Sequence, residues 1–247
     1  MPIGKKLFQK KPKCVSKWYG ININYEDEDL IPIPIGLAND YSPKNLLIND
    51  FLNTTQINEK KFKLYVNNRR NTNHKERDLT YTYFKNKDWC KLDEPTLDNQ
   101  EYKNNLNNHL FILCPEGNGL DTHRIWESIY LGSVPVVKKH ITHKSLDNLR
   151  VLKVDKFEDI NLETLKQFEE NNTYQDMKKI KIDYWIELIR SGNNEKIMNI
   201  EISEDKNKNL NFNRKKNVIF KFESRLKVLR FYFRKIKKIF FFYNKEI

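Results

Sequence analysis

Glycine and proline are scarce, 7 and 8 among 247 residues, which excludes a collagen-like repeat or a linker-like chain. Only three cysteines occur, Cys14, Cys90 and Cys114. They lie far apart and form no CxxC pair, which argues against a disulfide scaffold and a cysteine-based zinc site and points to a reducing compartment. No apolar run approaches the length that crosses a bilayer, and the first residues show no uninterrupted signal core. The chain does have 38% hydrophobic residues and 13% aromatics, enough to fill a core, so a wholly disordered chain is excluded. The length suggests one large or two small domains, and the reading at this point is a soluble, globular, cytoplasmic protein.

The formal charge of +12 suggests nucleic acid, but its position argues otherwise. Residues 211–247 hold 12 Lys/Arg against 2 Glu, while the other 210 residues hold 33 basic and 31 acidic side chains. The body is nearly neutral and the tail carries the charge. In that tail Phe222, Leu226, Leu229, Phe233, Ile236, Phe240 and Tyr243 recur at steps of four and three, the spacing of one helical face. Lys221, Arg225, Lys227, Arg230 and Arg234 fill much of the remainder. A basic amphipathic helix with bulky aromatics suits an anionic membrane surface, here the cytoplasmic face. A docked closing helix or a coiled coil is the structural alternative, and nucleic acid is the minor one.

The first sixty residues read as a partial lobe. A strand is expected over Val15 to Ile23, and Ile31-Pro32-Ile33-Pro34-Ile35-Gly36 must be extended because its alternating prolines forbid a helix. Ser42-Pro43 can open a helix carrying Leu46, Leu47 and Phe51. From about residue 61 to 190 the pattern becomes strand and helix in alternation. Phe62–Val66, His109–Cys114, Val134–Val137 and Val151–Val154 read as strands, the second as a buried parallel one. Asp78–Phe84 and Leu97–Leu106 are helix candidates, and Ile125, Ile129 and Leu131 mark a further helix face. The stretch from His109 to Val137 is therefore a βαβ unit. Leu162, Leu165 and Phe168 mark one later helix, and Met177, Ile180, Tyr184 and Leu188 another, stopped by Ser191-Gly192. Residues 191–247 form a polar linker and the tail.

The chemistry is concentrated in His109 to Val137. Pro115-Glu116-Gly117-Asn118-Gly119 follows a buried strand and places two glycines within three residues. Glycine permits positive φ and close approach of a ligand to bare backbone. Asp121 or Thr122 can then cap a helix. A helix N-terminus at the carboxyl end of a parallel strand is a ready phosphate site. Arg124 and Glu127, three residues apart, project from one side of the first turns. A guanidinium suits phosphate, and a carboxylate can accept hydrogen bonds from ribose hydroxyls. Taken singly, Asp121 can be a plain cap and Arg124–Glu127 a solvated ion pair. Of the five histidines, His140 and His143 can share a helical face, but no third ligand is near, so solvated surface histidines are the better reading and no metal is assigned.

Together the residues spell D-x-x-R-x-x-E-x-x-x-x-G-x-x-P-V, and CPEGNGLDTHRIWESIYLGSVPVV resembles the donor-binding motif of exostosin-like glycosyltransferases and related bacterial and viral sugar transferases. IPIPIGLAN (31–39) and YVNNRRNTNHKER (65–77), with Asn67, Thr72, Asn73 and Arg77, are similar to further segments of the same group. The resemblance covers about residues 15–190. It implies a metal-independent GT-B type enzyme without a bound cofactor: an α/β, Rossmann-like nucleotide-sugar-binding lobe, a reduced N-terminal lobe (1–60) facing the acceptor, and the basic C-terminal helix. Its substrates would be a nucleotide sugar and a glycan or lipid-linked acceptor. Carried over, Gly117, Asn118 and Gly119 surround the diphosphate, with Asp121 beside them. Arg124 is the catalytic group that neutralises the leaving diphosphate, Glu127 holds the ribose, and Arg77 reaches the phosphates. Glu116 departs from the pattern and places a negative charge beside a diphosphate unless it points away. The short first lobe leaves a second reading open, a non-catalytic sugar-nucleotide-binding partner of a complete transferase at the membrane.

Overall fold

The computed structural model describes residues 2–39, 45–52, 54, 59–171 and 176–191. The expected helix start at Ser42-Pro43, the stop at Gly192 and the tail lie outside them. The chain divides into two compact units, Met1–Glu195 and Lys196–Ile247, and the description below concerns the first.

The N-terminal segment forms two small parallel pairs. Strand β1 (Ile3–Gly4) pairs with β3 (Ile23–Asn24), and β2 (Trp18–Gly20) pairs with β4 (Leu30–Pro32). The strand expected over Val15 to Ile23 is thus broken in two, because Asn22 adopts φ 55°, a left-handed turn that asparagine tolerates. The proline-alternating run is extended as expected and begins as β4. Phe8, at the end of the short helix α1 (Lys5–Phe8), joins Ile23 and Leu30 in a small apolar cluster. Helix α2 (Ile48–Leu52) follows.

The main sheet has five parallel strands: β5 (Lys61–Val66), β6 (Cys90–Leu92), β7 (His109–Leu113), β8 (Val134–Lys138) and β9 (Leu152–Val154), in the order β6-β5-β7-β8-β9. Four of the five lie where the apolar runs place them. Strand β6 has no such run: Cys90-Lys91-Leu92 is a three-residue edge strand with its lysine exposed, and edges tolerate polar residues. The strands alternate strictly in the face they present. Leu64, Val66, Phe111, Leu113, Val134 and Val136 enter one core, and Tyr65, Ile112, Cys114 and Val137 the other. Each such fully buried apolar side chain contributes about 1.5–3 kcal/mol.

The helices divide between those faces. Phe84 of α3 (His74–Phe84) and Leu165 of α6 (Leu162–Asn171) lie in the first core. Leu106 of α4 (Asn99–Asn108), with Ile125 and Ile129 of α5 (His123–Tyr130), lies in the second. The chain moves outward from β5 to β6 through α3, then reverses to β7 through α4, and the covering face changes with the direction, as right-handed crossovers require. This is a mixed α/β fold of Rossmann-like type. A capping box on Asp98 opens α4. Helix α5 ends in a Schellman turn: Gly132 adopts φ 71°, its amide bonds Ile129 O, and Ser133 N reaches Ser128 O. The glycine of the central motif therefore belongs to the fold, as a left-handed stop that only glycine adopts without strain. Helix α7 (Ile182–Ser191) starts later than its apolar face suggests, because Met177–Ile180 form a separate 3-10 turn.

Candidate functional site

Strands β5 and β7 are neighbours whose chains leave for opposite faces of the sheet, β5 into α3 and β7 into α5. A parallel sheet opens a crevice past the carboxyl ends of two such strands. A cleft of about 420 Å³ lies there. All seven residues singled out from sequence line it: Arg77 from the β5 side, Gly117, Asn118, Gly119 and Asp121 from the loop after β7, Arg124 and Glu127 from α5. The far wall comes from the β6–α4 connection and includes Tyr102.

Arg124 and Glu127 do not form a solvated ion pair. Glu127 is buried, and Tyr102 stands between the two. The Tyr102 hydroxyl donates to Glu127 Oε2 at 2.9 Å and accepts from Arg124 Nε at 3.0 Å. The guanidinium lies 5.4 Å from the Tyr102 ring centroid, a cation–π contact, and its Nη1 donates to Asn68 Oδ1. Burial works against the arginine's charge, yet the bond to the Tyr102 hydroxyl and the nearby Glu127 carboxylate hold its pKa above the ordinary value. Burial raises the pKa of Glu127, with Arg124 and Tyr102 pulling it back. Arg124 is thus a permanent, oriented charge in a low-dielectric wall, where its field is strongest.

Asp121 is no helix cap. Thr122 occupies that position and makes no side-chain cap bond, and its buried hydroxyl has no partner among the described residues. The Asp121 carboxylate instead accepts from Ile35 N at 2.8 Å and Trp126 Nε1 at 3.0 Å, while its amide donates to Asn22 Oδ1 at 2.7 Å. It ties the proline-alternating segment to α5. His123 adds a second tie, Nδ1 to Gly36 O at 2.8 Å, where Gly36 has φ 69°. Burial pushes the Asp121 pKa up to about 6. Its folded value exceeds the unfolded one, so ionisation opposes folding above about pH 6, and this penalty fades as pH falls toward 4. The group then adds about 2 kcal/mol of stability between pH 7 and pH 4. Urea unfolding of wild type and Asp121→Asn over that range measures it: the wild type gains relative to the variant on acidification, and a constant difference contradicts the assignment.

Arg77 is a clamp on the backbone. Nε donates to Glu116 O at 2.8 Å, Nη1 to Arg69 O at 2.9 Å and Nη2 to Pro115 O at 3.3 Å. Burial, then the nearby charge of Arg124, brings its pKa down to about 10. Two guanidinium charges close enough to repel give the cleft a positive bias. Gly117 and Gly119 have ordinary φ, so the positive-φ expectation does not hold. Their bareness serves neighbouring side chains: a Cβ at Gly117 would stand 2.8 Å from Arg77 Nη2, and one at Gly119 2.8 Å from Asn22 Nδ2.

Glu116 points away from this cleft. Its carboxylate lies 3.7 Å from Lys138 Nζ, which also pairs with Glu76, and it lines a separate cavity of about 430 Å³. The feared repulsion with an anion in the main cleft is therefore absent. His143 is buried, not solvated as expected: Nδ1 faces Lys138 O at 2.8 Å. Among the described residues no group of three or more His, Cys, Asp or Glu could hold a metal ion, and no helix is long and apolar enough to cross a membrane. Burial pushes the Cys114 thiol up to about 12, so it is an inert core group.

Sequence reasoning missed Tyr102, Asn68 and Arg69. Tyr102 is invisible because it reaches the site from α4, 22 residues before Arg124. Asn68 and Arg69 sit inside the YVNNRRNTNHKER stretch, and a strand's carboxyl end next to a switch point is the signal that could have found them.

A search of curated proteins returns no match. The RXYLT1 C-terminal domain family, a xylosyltransferase-related group of the glycosyltransferase kind, matches residues 41–215, which span β5 to α7 and every cleft residue named above except Ile35, Gly36 and Asn22. Sugar donors and acceptors are the general substrates of such a family. The chain belongs to the RXYLT1 C-terminal domain family, and its conspicuous cleft lies where that fold type holds ligands.

Proposed function

We propose that this protein transfers a glycosyl group from a nucleoside diphosphate sugar to a glycan or lipid-linked acceptor, its Rossmann-like part being the donor-binding lobe of a GT-B type enzyme. One observation carries the reading: a half-buried, oriented Arg124 at the first turn of α5, in the crevice between β5 and β7. In glycosyl transfer the bond from the sugar's anomeric carbon to the phosphate oxygen breaks, and its electron pair stays on the leaving diphosphate. The acceptor hydroxyl bonds to the anomeric carbon and its proton passes to the released diphosphate or to water. The charge that develops is met by Arg124 and by the helix N-terminus, a fixed arrangement that needs no reorganisation during the reaction. This reading requires no metal ion for leaving-group departure. Gly117, Asn118 and Gly119 flank the diphosphate, and Glu127, the ribose group of the same reading, accepts from Tyr102 and from the Leu46 amide and offers its remaining lone pairs to the ribose hydroxyls.

A second reading keeps the donor site without turnover. Both cleft carboxylates, Asp121 and Glu127, are engaged by protein donors, which favours a non-catalytic nucleotide-sugar-binding partner. Nucleotide release from a panel of UDP- and GDP-sugars, xylosyl donors included, separates the two. Turnover supports the enzyme, and binding without release supports the partner.

The basic tail completes the proposal as a contact with an anionic membrane surface. Each Lys or Arg near such a surface adds about 1 kcal/mol. The full chain is expected to sediment with phosphatidylserine vesicles and to be released as salt rises from about 0.1 M to about 0.5 M. A chain ending at residue 210 stays in the supernatant. Equal sedimentation of both chains removes the tail from the reading.

A further inference from the structure

Three arginine side chains line the cleft, Arg69, Arg77 and Arg124, and their donors are spent very unequally. Arg77 places Nε, Nη1 and Nη2 on three backbone carbonyls. Arg124 places Nε on Tyr102 and Nη1 on Asn68. Among the described residues no hydrogen bond or ion pair engages the exposed side chain of Arg69. Its neighbour shows that this is not a general property of the loop: Arg70 lies 3.8 Å from Asp78 and 3.7 Å from Glu94, with its guanidinium 4.6 Å from the Tyr81 ring centroid.

The backbone that carries Arg69 is fixed from both sides. Asn67 Nδ2 donates to Glu94 O at 3.2 Å, Asn68 holds Arg124, and the Arg69 carbonyl accepts from Arg77. Buried Arg77 and half-buried Arg124 thus act as anchors for residues 68 and 69, and the side chain they present to the cleft is the one whose five N–H donors meet no partner among the described residues. A planar fork without a protein partner, on a rigid support, above a wall that already holds two like charges, is arranged for an anion.

We propose that Arg69 is a second ligand-facing cation of the cleft beside Arg124, contacting the diphosphate of a nucleoside diphosphate ester, and that Arg77 serves to hold Arg69 in place. The inference rests on the proposed function, and it moves the phosphate contact from Arg77 to a residue that sequence reasoning passed over. A contact through two phosphoryl groups also sets specificity: the diphosphate gains from Arg69, and a nucleoside monophosphate gains much less.

Calorimetric titration of the full chain with UDP, GDP, UMP and GMP tests this in wild type, Arg69→Ala and Arg69→Lys. Arg69→Ala is expected to weaken the diphosphate at least tenfold, to change the monophosphate by less than threefold, and to leave the melting temperature unaltered. Arg69→Lys restores part of the affinity, with a steeper loss in salt. Diphosphate affinity unchanged in Arg69→Ala overturns the inference while leaving the donor site standing. Equal losses for mono- and diphosphate overturn the assignment to the diphosphate. A wild-type chain that binds neither diphosphate overturns the proposed function and this inference with it.

Discussion

Replacing Arg124 with alanine is expected to lower turnover by about 10²–10³-fold, the usual loss when a preorganised group facing developing charge is removed. The same change removes the cation from a buried network. Tyr102 loses the donor to its oxygen, and the Glu127 carboxylate is left without a compensating charge. Because Arg124 is half-buried and joined to Glu127 only through the Tyr102 hydroxyl, the loss is that of a charge-assisted hydrogen bond, about 1.5–3 kcal/mol of stability. Arg124→Lys separates the two effects. It keeps the charge but loses the planar fork that reaches Tyr102 and Asn68 together, so stability returns in part and turnover less. Single-turnover kinetics beside urea unfolding measures both. Undiminished turnover in Arg124→Ala sinks the assignment.

Arg77→Ala is the second large effect, and it falls on stability. Three carbonyls lose the Arg77 guanidinium at once; that of Arg69 keeps the Thr72 hydroxyl, and those of Pro115 and Glu116 lose their side-chain donor. An unsatisfied buried acceptor costs about 1–3 kcal/mol, and with two such carbonyls and water recovering part of the cost, a loss of about 2–4 kcal/mol is expected. A loss of that size is a large part of a domain's total stability. Arg77→Lys, with one compact ammonium, cannot serve three carbonyls and recovers little. Arg77→Ala that unfolds at the wild-type urea midpoint yet loses diphosphate affinity would restore Arg77 to the phosphates.

The sheet was legible because parallel strands covered on both faces are nearly continuous apolar runs, as in His109–Cys114 and Val134–Val137. β6 was not, since an edge strand of three residues needs no such run. The cleft's position followed from a glycine-rich loop between a buried strand and a helix, and all seven chosen residues do meet there. Their tasks were less legible. Asp121, Arg77 and the two glycines have the residue types a phosphate site wants, but in the fold their atoms are engaged by Ile35, Trp126, three carbonyls and Asn22. Such partners come from segments up to 99 residues away, and local spacing carries no information about them. Glu116 shows the same limit in reverse: its sign looked adverse, and only the position of Lys138 shows where it points.

The bond from the Ile35 amide to Asp121 gives this cleft a built-in reporter. That proton can exchange with solvent only when the proline-alternating segment parts from the first turn of α5, since the same junction is also pinned by the Asn22 and His123 contacts. Its deuterium uptake therefore records how often the crevice wall comes undone, and a ligand that braces α5 slows that clock at a residue it never touches.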